Sequence, residues 1–250
     1  QDTAYTNHTC KHTTIGFLSD IKDMPNQYTY SKMFFDRWYR PDNCTVIVAG
    51  DVKHGELVQL AKRYYGDWKR GTAKVDIPTE PAQREHRSAH LSWPVPTLNT
   101  VLLGYHIPAT DPKNPDTAAL DALAQAIFGE TSPLYQELVL KEQKAVMLAA
   151  ESEPKRDPGL FTILARSRTS ADLSAVRKRI SEALQNAAKS PIDESRLSEI
   201  KSHLRYEFAT TLTTPNNVAR VIALTISVAV SPEAINELYE AYDRLTPADL

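Results

Sequence analysis

One stretch constrains this chain more than any other: Tyr39-Arg40-Pro41-Asp42-Asn43-Cys44-Thr45-Val46-Ile47-Val48-Ala49-Gly50-Asp51-Val52. Pro41 fixes φ and lacks an amide hydrogen, and Asp42-Asn43 accept turn geometry, so a preceding helix must stop there. Residues 45–49 are β-branched or small and apolar without alternation, the pattern of a strand covered on both faces. Gly50-Asp51 then releases the chain towards a helix. Such a strand needs neighbours on both sides, and the residues before it are too few to supply them.

Residues 1–22 read as extended and irregular. Pro25 opens a helix to about Tyr39, with Tyr28, Phe34, Phe35 and Trp38 on a large aromatic face. Residues 56–68 carry Leu57, Leu60, Ala61 and Tyr64 at helical spacing, and Gly66 ends that pattern. From residue 69 the chain changes character, with Pro78, Pro81 and mixed charges but no period. Residues 71–88 therefore read as a linker, which divides the chain into a first part, 1–70, and a second, 89–250.

The second part opens with two expected strands, at His90-Leu91-Ser92-Trp93 and at 100–107. Asp116 is the expected cap of a helix to Phe128, with Ala119, Leu120, Leu123, Ala126 and Ile127 on one face. Gly129 stops it, and Ser132-Pro133 starts another helix to about Lys141. Strands at 145–152 and 160–168 follow, joined by a turn at 154–159. Four helices complete the chain: 173–189, 193–212, 215–230 and 232–244, with start signals at Asp172, Asp193, Thr214-Pro215 and Ser231-Pro232. Strands interleaved with helices, then helices alone, define an α+β class: an antiparallel sheet with helices on one face.

Composition narrows function by exclusion. A net charge of -2 leaves no electrostatic footprint for nucleic acid or an anionic membrane surface. The longest apolar run, 218–230, is interrupted by Arg220 and Thr225 and falls short of a membrane span. Cys10 and Cys44 allow at most one disulfide and read better as plain thiols. His8, Cys10 and His12 alternate, so they share a strand face without the close ligand pairs that zinc needs. His86 and His90 are four apart but sit in extended surroundings and lack the glutamate of a metalloprotease helix. His54 and Glu56 read as solvated first-turn residues. Gly129-Glu130-Thr131-Ser132 lacks phosphate-loop spacing. Lys155, Arg156, Arg166 and Arg168 fit the solvated tips of paired strands. No catalytic, cofactor-binding or metal-binding residue is assigned.

Several longer motifs carry a resemblance. Asn7-His8-Thr9 through Lys11-His12-Thr13-Thr14-Ile15-Gly16-Phe17, followed by Asp20-Ile21, resembles part of the insulinase (pitrilysin) family of zinc metallopeptidases. Phe35-Asp36-Arg37-Trp38-Tyr39-Arg40-Pro41, leading into 46–52, resembles that family's Tyr-x-Pro-x-Asn approach to a Val-rich strand ending Gly-Asp-Val. Phe128-Gly129-Glu130-Thr131-Ser132-Pro133-Leu134-Tyr135 and Glu142-Gln143 resemble the glycine-serine turn and helix of the next domain. The likeness covers nearly the whole chain, is strongest over 39–52, and points to bacterial members.

The resemblance implies a zinc-dependent endopeptidase that cleaves peptides in a chamber between two clam-like halves, each of two similar α+β domains. The family's zinc is held by two histidines of a His-x-x-Glu-His helix and a later glutamate, and the motif's own glutamate is the general base. None of those residues is in this sequence. The expectation is therefore two insulinase-like domains, the first only partial: 1–70 as the C-terminal part of the catalytic-type domain, and 89–250 as a second domain short of its last strand. The chain itself would be inactive and bind no zinc, the metal belonging to the intact parent. The implied partners are the missing N-terminal part of the catalytic domain, a second half-molecule and peptide substrates. A homodimer is a further possibility, with neither nucleic acid nor membrane involved. The resemblance favours a periplasmic home. The rival readings are a non-catalytic structural or assembly subunit of the same fold and a peptide-binding module using the edges of the second sheet.

Overall fold

The structure is a computed structural model that describes residues 1–71 and 75–250. The chain divides into two compact units, Gln1–Pro94 and Val95–Leu250. Of the stretch read as a linker, residues 72–74 lie outside the described residues; 75–94 count with the first unit.

The first unit is helical and irregular. After a 3-10 turn at Thr9–Lys11 come α1 (Leu18–Asp23), α2 (Tyr28–Trp38) and α3 (His54–Tyr65). Helix α1 corrects the expectation that residues 1–22 are irregular throughout. Its start is fixed by Asp20, whose carboxylate accepts the Phe17 N–H at 2.8 Å from the third helical position. A separate 3-10 turn at Met24–Asn26 takes up Pro25, so α2 begins at Tyr28. Gly66 follows α3 directly, as its spacing suggests.

The expected buried strand at 45–49 is also corrected. Cys44 is extended, with φ -123° and ψ 134°, yet residues 44–49 join no ladder among the described residues. Val46 is 63% exposed and Val48 41%. Unbroken apolarity signals burial on both faces only where neighbouring strands exist to cover it, and none of the described residues offers one. The aromatic face of α2 is open as well: the helix buries no residue and Tyr28 is 75% exposed. Its rings contact one another along the helix, Phe34 against Trp38 and Phe35 stacked on Tyr39 at 4.6 Å.

The second unit is α+β. Strands β1 (Asn99–Ile107), β2 (Met147–Ser152) and β3 (Gly159–Ser167) form an antiparallel sheet in the order β1-β3-β2. The register pairs Leu103 with Ile163 on one side of β3 and Ala150 with Ile163 on the other. This places Phe161, Ile163 and Ala165, all buried, on the inner face with Leu148 and the half-buried Val101 and Leu103. The segment 90–93, expected as a strand, is unpaired: Leu91 and Trp93 are exposed, and Pro94 with the bend at 94–95 separates them from β1.

Helices cover the inner face. Helix α4 (Pro115–Phe128) lies against β2 and supplies Ala118, Ala122 and Phe128 to the core. After the single turn α5 (Pro133–Tyr135), residues Gln136–Lys141 wind as a π-helix rather than continuing the expected α-helix, and Gln143 closes it in the left-handed region at φ 53°. Arg179 of α6 (Ser170–Ala187) grips this turn through Glu137 and through Glu142 at 3.3 Å. Helices α7 (Glu194–Thr211), α8 (Pro215–Ala229) and α9 (Ala234–Arg244) follow. Their starts show which polar residue caps. Asp193 and Thr214 do so as expected, but Asn114 caps α4 and Thr169 caps α6, leaving Asp116 and Asp172 inside the first turn. Among the described residues no single helix is long and apolar enough to cross a membrane; α8 and α9 pass that test only as a pair bent by 82°.

Candidate functional site

Among the described residues, three groups of polar side chains come into question as a site, two in the first unit and one in the second. At the first, Lys11 and α1 bring His12 beside Asp20, Nε2 to Oδ2 at 2.9 Å, while His12 Nδ1 faces the Thr13 carbonyl at 2.8 Å. Both ring nitrogens thus meet acceptors, and the Asp20 bond raises the imidazole above its ordinary pKa. Asp20 is lowered in turn, first by His12 and then by the Phe17 amide. Phe17 packs edge-on against the imidazole at 4.8 Å. This arrangement favours the protonated form of His12, and both of its ring nitrogens already face oxygen atoms of neighbouring residues.

At the second, Glu80 collects four donors: the Thr6 N–H and hydroxyl at 2.8 and 2.7 Å, and the N–H groups of Asn7 and His8 at 2.8 and 2.9 Å. Partial burial pulls its pKa up, but the His8 amide, the Thr6 hydroxyl and the two further amides outweigh that and hold it at about 2. His8 is 5% exposed, and its Nδ1 accepts the Cys10 N–H at 3.0 Å.

The third lies across three elements. Asp121 of α4 accepts the Tyr242 hydroxyl of α9 at 2.7 Å and the Ser152 hydroxyl of β2 at 2.8 Å. Burial raises the Asp121 pKa against the pull of those two hydroxyls. The same burial, reinforced by the Asp121 charge, moves Tyr242 well above its ordinary value, and Tyr239 rises to about 12. The cluster ties helix, strand and helix together and offers no nucleophile beside a free base.

The residues singled out in the sequence are scattered among these places. His8 and His12 each have other work, Cys10 and Cys44 are free thiols, and His86 and His90 do not meet. His54 opens α3, where Lys53 pairs with Glu56 at 3.5 Å. Ser132 is a buried helix cap accepting the Tyr135 N–H at 3.1 Å, and Thr131 accepts from Arg196 at 2.7 Å, so the 129–132 turn is structural. Lys155 and Arg156 precede β3, and Arg166 and Arg168 end it, so a nine-residue strand of roughly 30 Å separates the pairs. Arg156 instead donates to the Ser227 carbonyl at 2.9 Å. Among the described residues, no three His, Cys, Asp or Glu side chains are grouped to hold a metal.

Sequence reasoning missed Glu80, Asp121 and Tyr242. Asp121 carried a signal: it is an acid set among Ala118, Ala119, Leu120, Ala122 and Leu123, where helix burial demands a partner. Glu80 carried none, because its donors are three backbone amides and a hydroxyl more than seventy residues away.

With these arrangements in view, comparison with known proteins defines the class. Residues 29–204 match the family model described as the peptidase M16 inactive domain, and the chain belongs to that family. This agrees with the insulinase-family likeness read from the motifs. The chain is 31% identical over 234 residues to the zinc protease PqqE of Helicobacter pylori (strain ATCC 700392 / 26695), which covers 89% of this chain. It spans only about half the length of that relative, 50%. A crystal structure of a protease from Helicobacter pylori superposes with a TM-score of 0.88 at 28% identity, over 100% of this chain and 60% of the other. A putative M16-like peptidase from Alicyclobacillus acidocaldarius shares the fold at a TM-score of 0.77 and 16% identity, over 98% of this chain and 58% of the other.

Proposed function

We propose that this chain is the non-catalytic portion of a longer zinc-dependent endopeptidase that degrades peptides in a closed chamber. In this reading residues 1–70 close the catalytic-type domain, 71–88 join it onwards, and 89–250 form the second domain. The chain walls the chamber and holds the catalytic part in orientation, and the zinc is bound by residues outside it. Its partners are that catalytic part, a second half-molecule and the peptide substrate.

The observation that carries the reading is the match to a zinc protease over 89% of this chain but 50% of that protein, in the region described as the inactive domain. The open aromatic face of α2 and the exposed apolar stretch at 46–48 support it, since both are surfaces another part of a protein would cover. The test is metal analysis after dialysis together with a quenched-peptide assay, first on this chain and then on the intact gene product. The expected result is zinc and chelator-sensitive cleavage for the intact protein and neither for the chain. One zinc per chain with cleavage by the chain alone overturns the proposal.

A further inference from the structure

The last segment of the first unit is unusual in how it is held. Residues 75–94 form no helix or strand, and their prolines and charges suggest a free tether. Two of their side chains nevertheless reach the same short stretch of the N-terminus. Glu80 binds Thr6, Asn7 and His8 through both carboxylate oxygens, two donors to each. Arg87 Nη1 donates to the Ala4 carbonyl at 3.2 Å.

The receiving stretch is itself firm. The Ala4 and Tyr5 amides both return to the Gln1 carbonyl, and Tyr5 and His8 are the buried residues of this unit. Three successive backbone N–H groups directed at one carboxylate form a concave anion site. Charge-assisted bonds of this kind are worth about twice neutral ones. Beyond Arg87, among the described residues, Leu91 and Trp93 are exposed and His90 faces the Ser92 hydroxyl at 3.4 Å.

We infer that residues 80–87 are a strap, pinned to residues 4–8 at Glu80 and Arg87, and that this hold on the chain ends after Arg87. The strap belongs to the first unit, whichever way the peptidase reading is decided.

Hydrogen exchange on the full 250-residue chain tests this. In the wild type the amides of Thr6, Asn7 and His8 should exchange at least about tenfold more slowly than those of 90–93. Glu80→Gln keeps the size but removes the charge and turns an amide NH2 towards at least one N–H donor, that of Thr6, so exchange at 6–8 and 81–87 should rise at least about tenfold. Exchange at Phe161, Ile163 and Ala165 should not change. Arg87→Ala should act in the same direction but more weakly. If Glu80→Gln also releases the amides of α2, so that the unit has unfolded, Glu80→Asp replaces it; one methylene shorter, it should give an intermediate loss confined to 6–8 and 81–87. Unchanged protection at 6–8 in these Glu80 variants overturns the strap, as do wild-type amides at 90–93 as slow as those at 81–87.

Discussion

The two units are built from helices of similar quality but bury very different amounts of themselves. In the second, α4, α6, α7 and α9 each place residues in a core that closes over Ile163, Val176 and Ile180. In the first, α1, α2 and α3 bury none. The difference is a sheet: β1-β3-β2 presents an apolar face to its helices, whereas the first unit has no strand ladder among the described residues. An amphipathic helix stabilises a fold through what it covers, since its own propensity is marginal at this length.

That contrast predicts very unequal responses to the same kind of change. Ile163→Ala, at a site with no exposure, should cost about 3–4 kcal/mol of the second unit's stability. Val48→Ala should cost less than about 0.5 kcal/mol. Urea unfolding followed by far-UV circular dichroism measures both. A large loss from Val48→Ala would mean that the stretch is covered in solution, and the contrast would fail.

Exchange and sedimentation sharpen the point. The amides of 46–48 should exchange at least about a hundredfold faster than those of Val101, Leu102 and Leu103, which lie in a paired strand. The alternative supported by the same exposed edge is self-association, seen as a concentration-dependent rise in sedimentation coefficient with slow exchange at 46–48. A monomer with equal protection in both stretches would show that 45–49 is complete as it stands.

Much of the second unit was legible in the sequence, because its signals are local. Gly129 stopping α4, Ser132-Pro133 opening α5, and the caps Asp193 and Thr214 all act within one helical turn. The strands at 145–152 and 160–168 followed from the turn at 154–159 between them, and in β3 Phe161, Ile163 and Ala165 face inward while Thr162 and Leu164 do not. What escaped depends on distant partners. Residues 45–49 and 90–93 have strand composition, but a strand is defined by its neighbour, and neither has one among the described residues. The π-helix at Gln136–Lys141 is stabilised by Arg179, some forty residues on. The candidate sites were less legible still: the histidines were conspicuous yet do not converge, Glu80 was silent, and the signal of Asp121 among apolar neighbours was overlooked.

Asp121 offers the next test of the second unit's closure. Tyr242→Phe removes one hydroxyl from a buried carboxylate and leaves the ring in place. The expected loss is about 1.5–3 kcal/mol, the usual cost for a hydrogen bond to a charged group. Ser152→Ala should cost less, because Tyr242 remains. Chemical denaturation of the two variants and their double mutant measures the coupling. Strict additivity would mean that the three groups do not act as one cluster.

The smallest expected effect separates the units by pH. Glu80 has a folded pKa of about 2 against an ordinary 4.5, so its contribution is present above pH 4.5 and lost as pH falls towards 2. Asp121 runs the other way: its pKa is raised above 3.8, so its contribution is fully present below 3.8 and lost as pH rises through the folded value. Acid should therefore loosen the first unit while relieving the buried charge in the second. Solvent access at Glu80 reduces its share to about 1 kcal/mol. The three tryptophans, Trp38, Trp68 and Trp93, all belong to the first unit, so tryptophan emission follows it alone. Between pH 5 and pH 2 the emission should shift before the helical circular dichroism falls, and Glu80→Gln should remove that early shift by displaying it already at pH 5. Coincident transitions in the wild type, unmoved by Glu80→Gln, would show that the carboxylate does not set the acid response of the first unit.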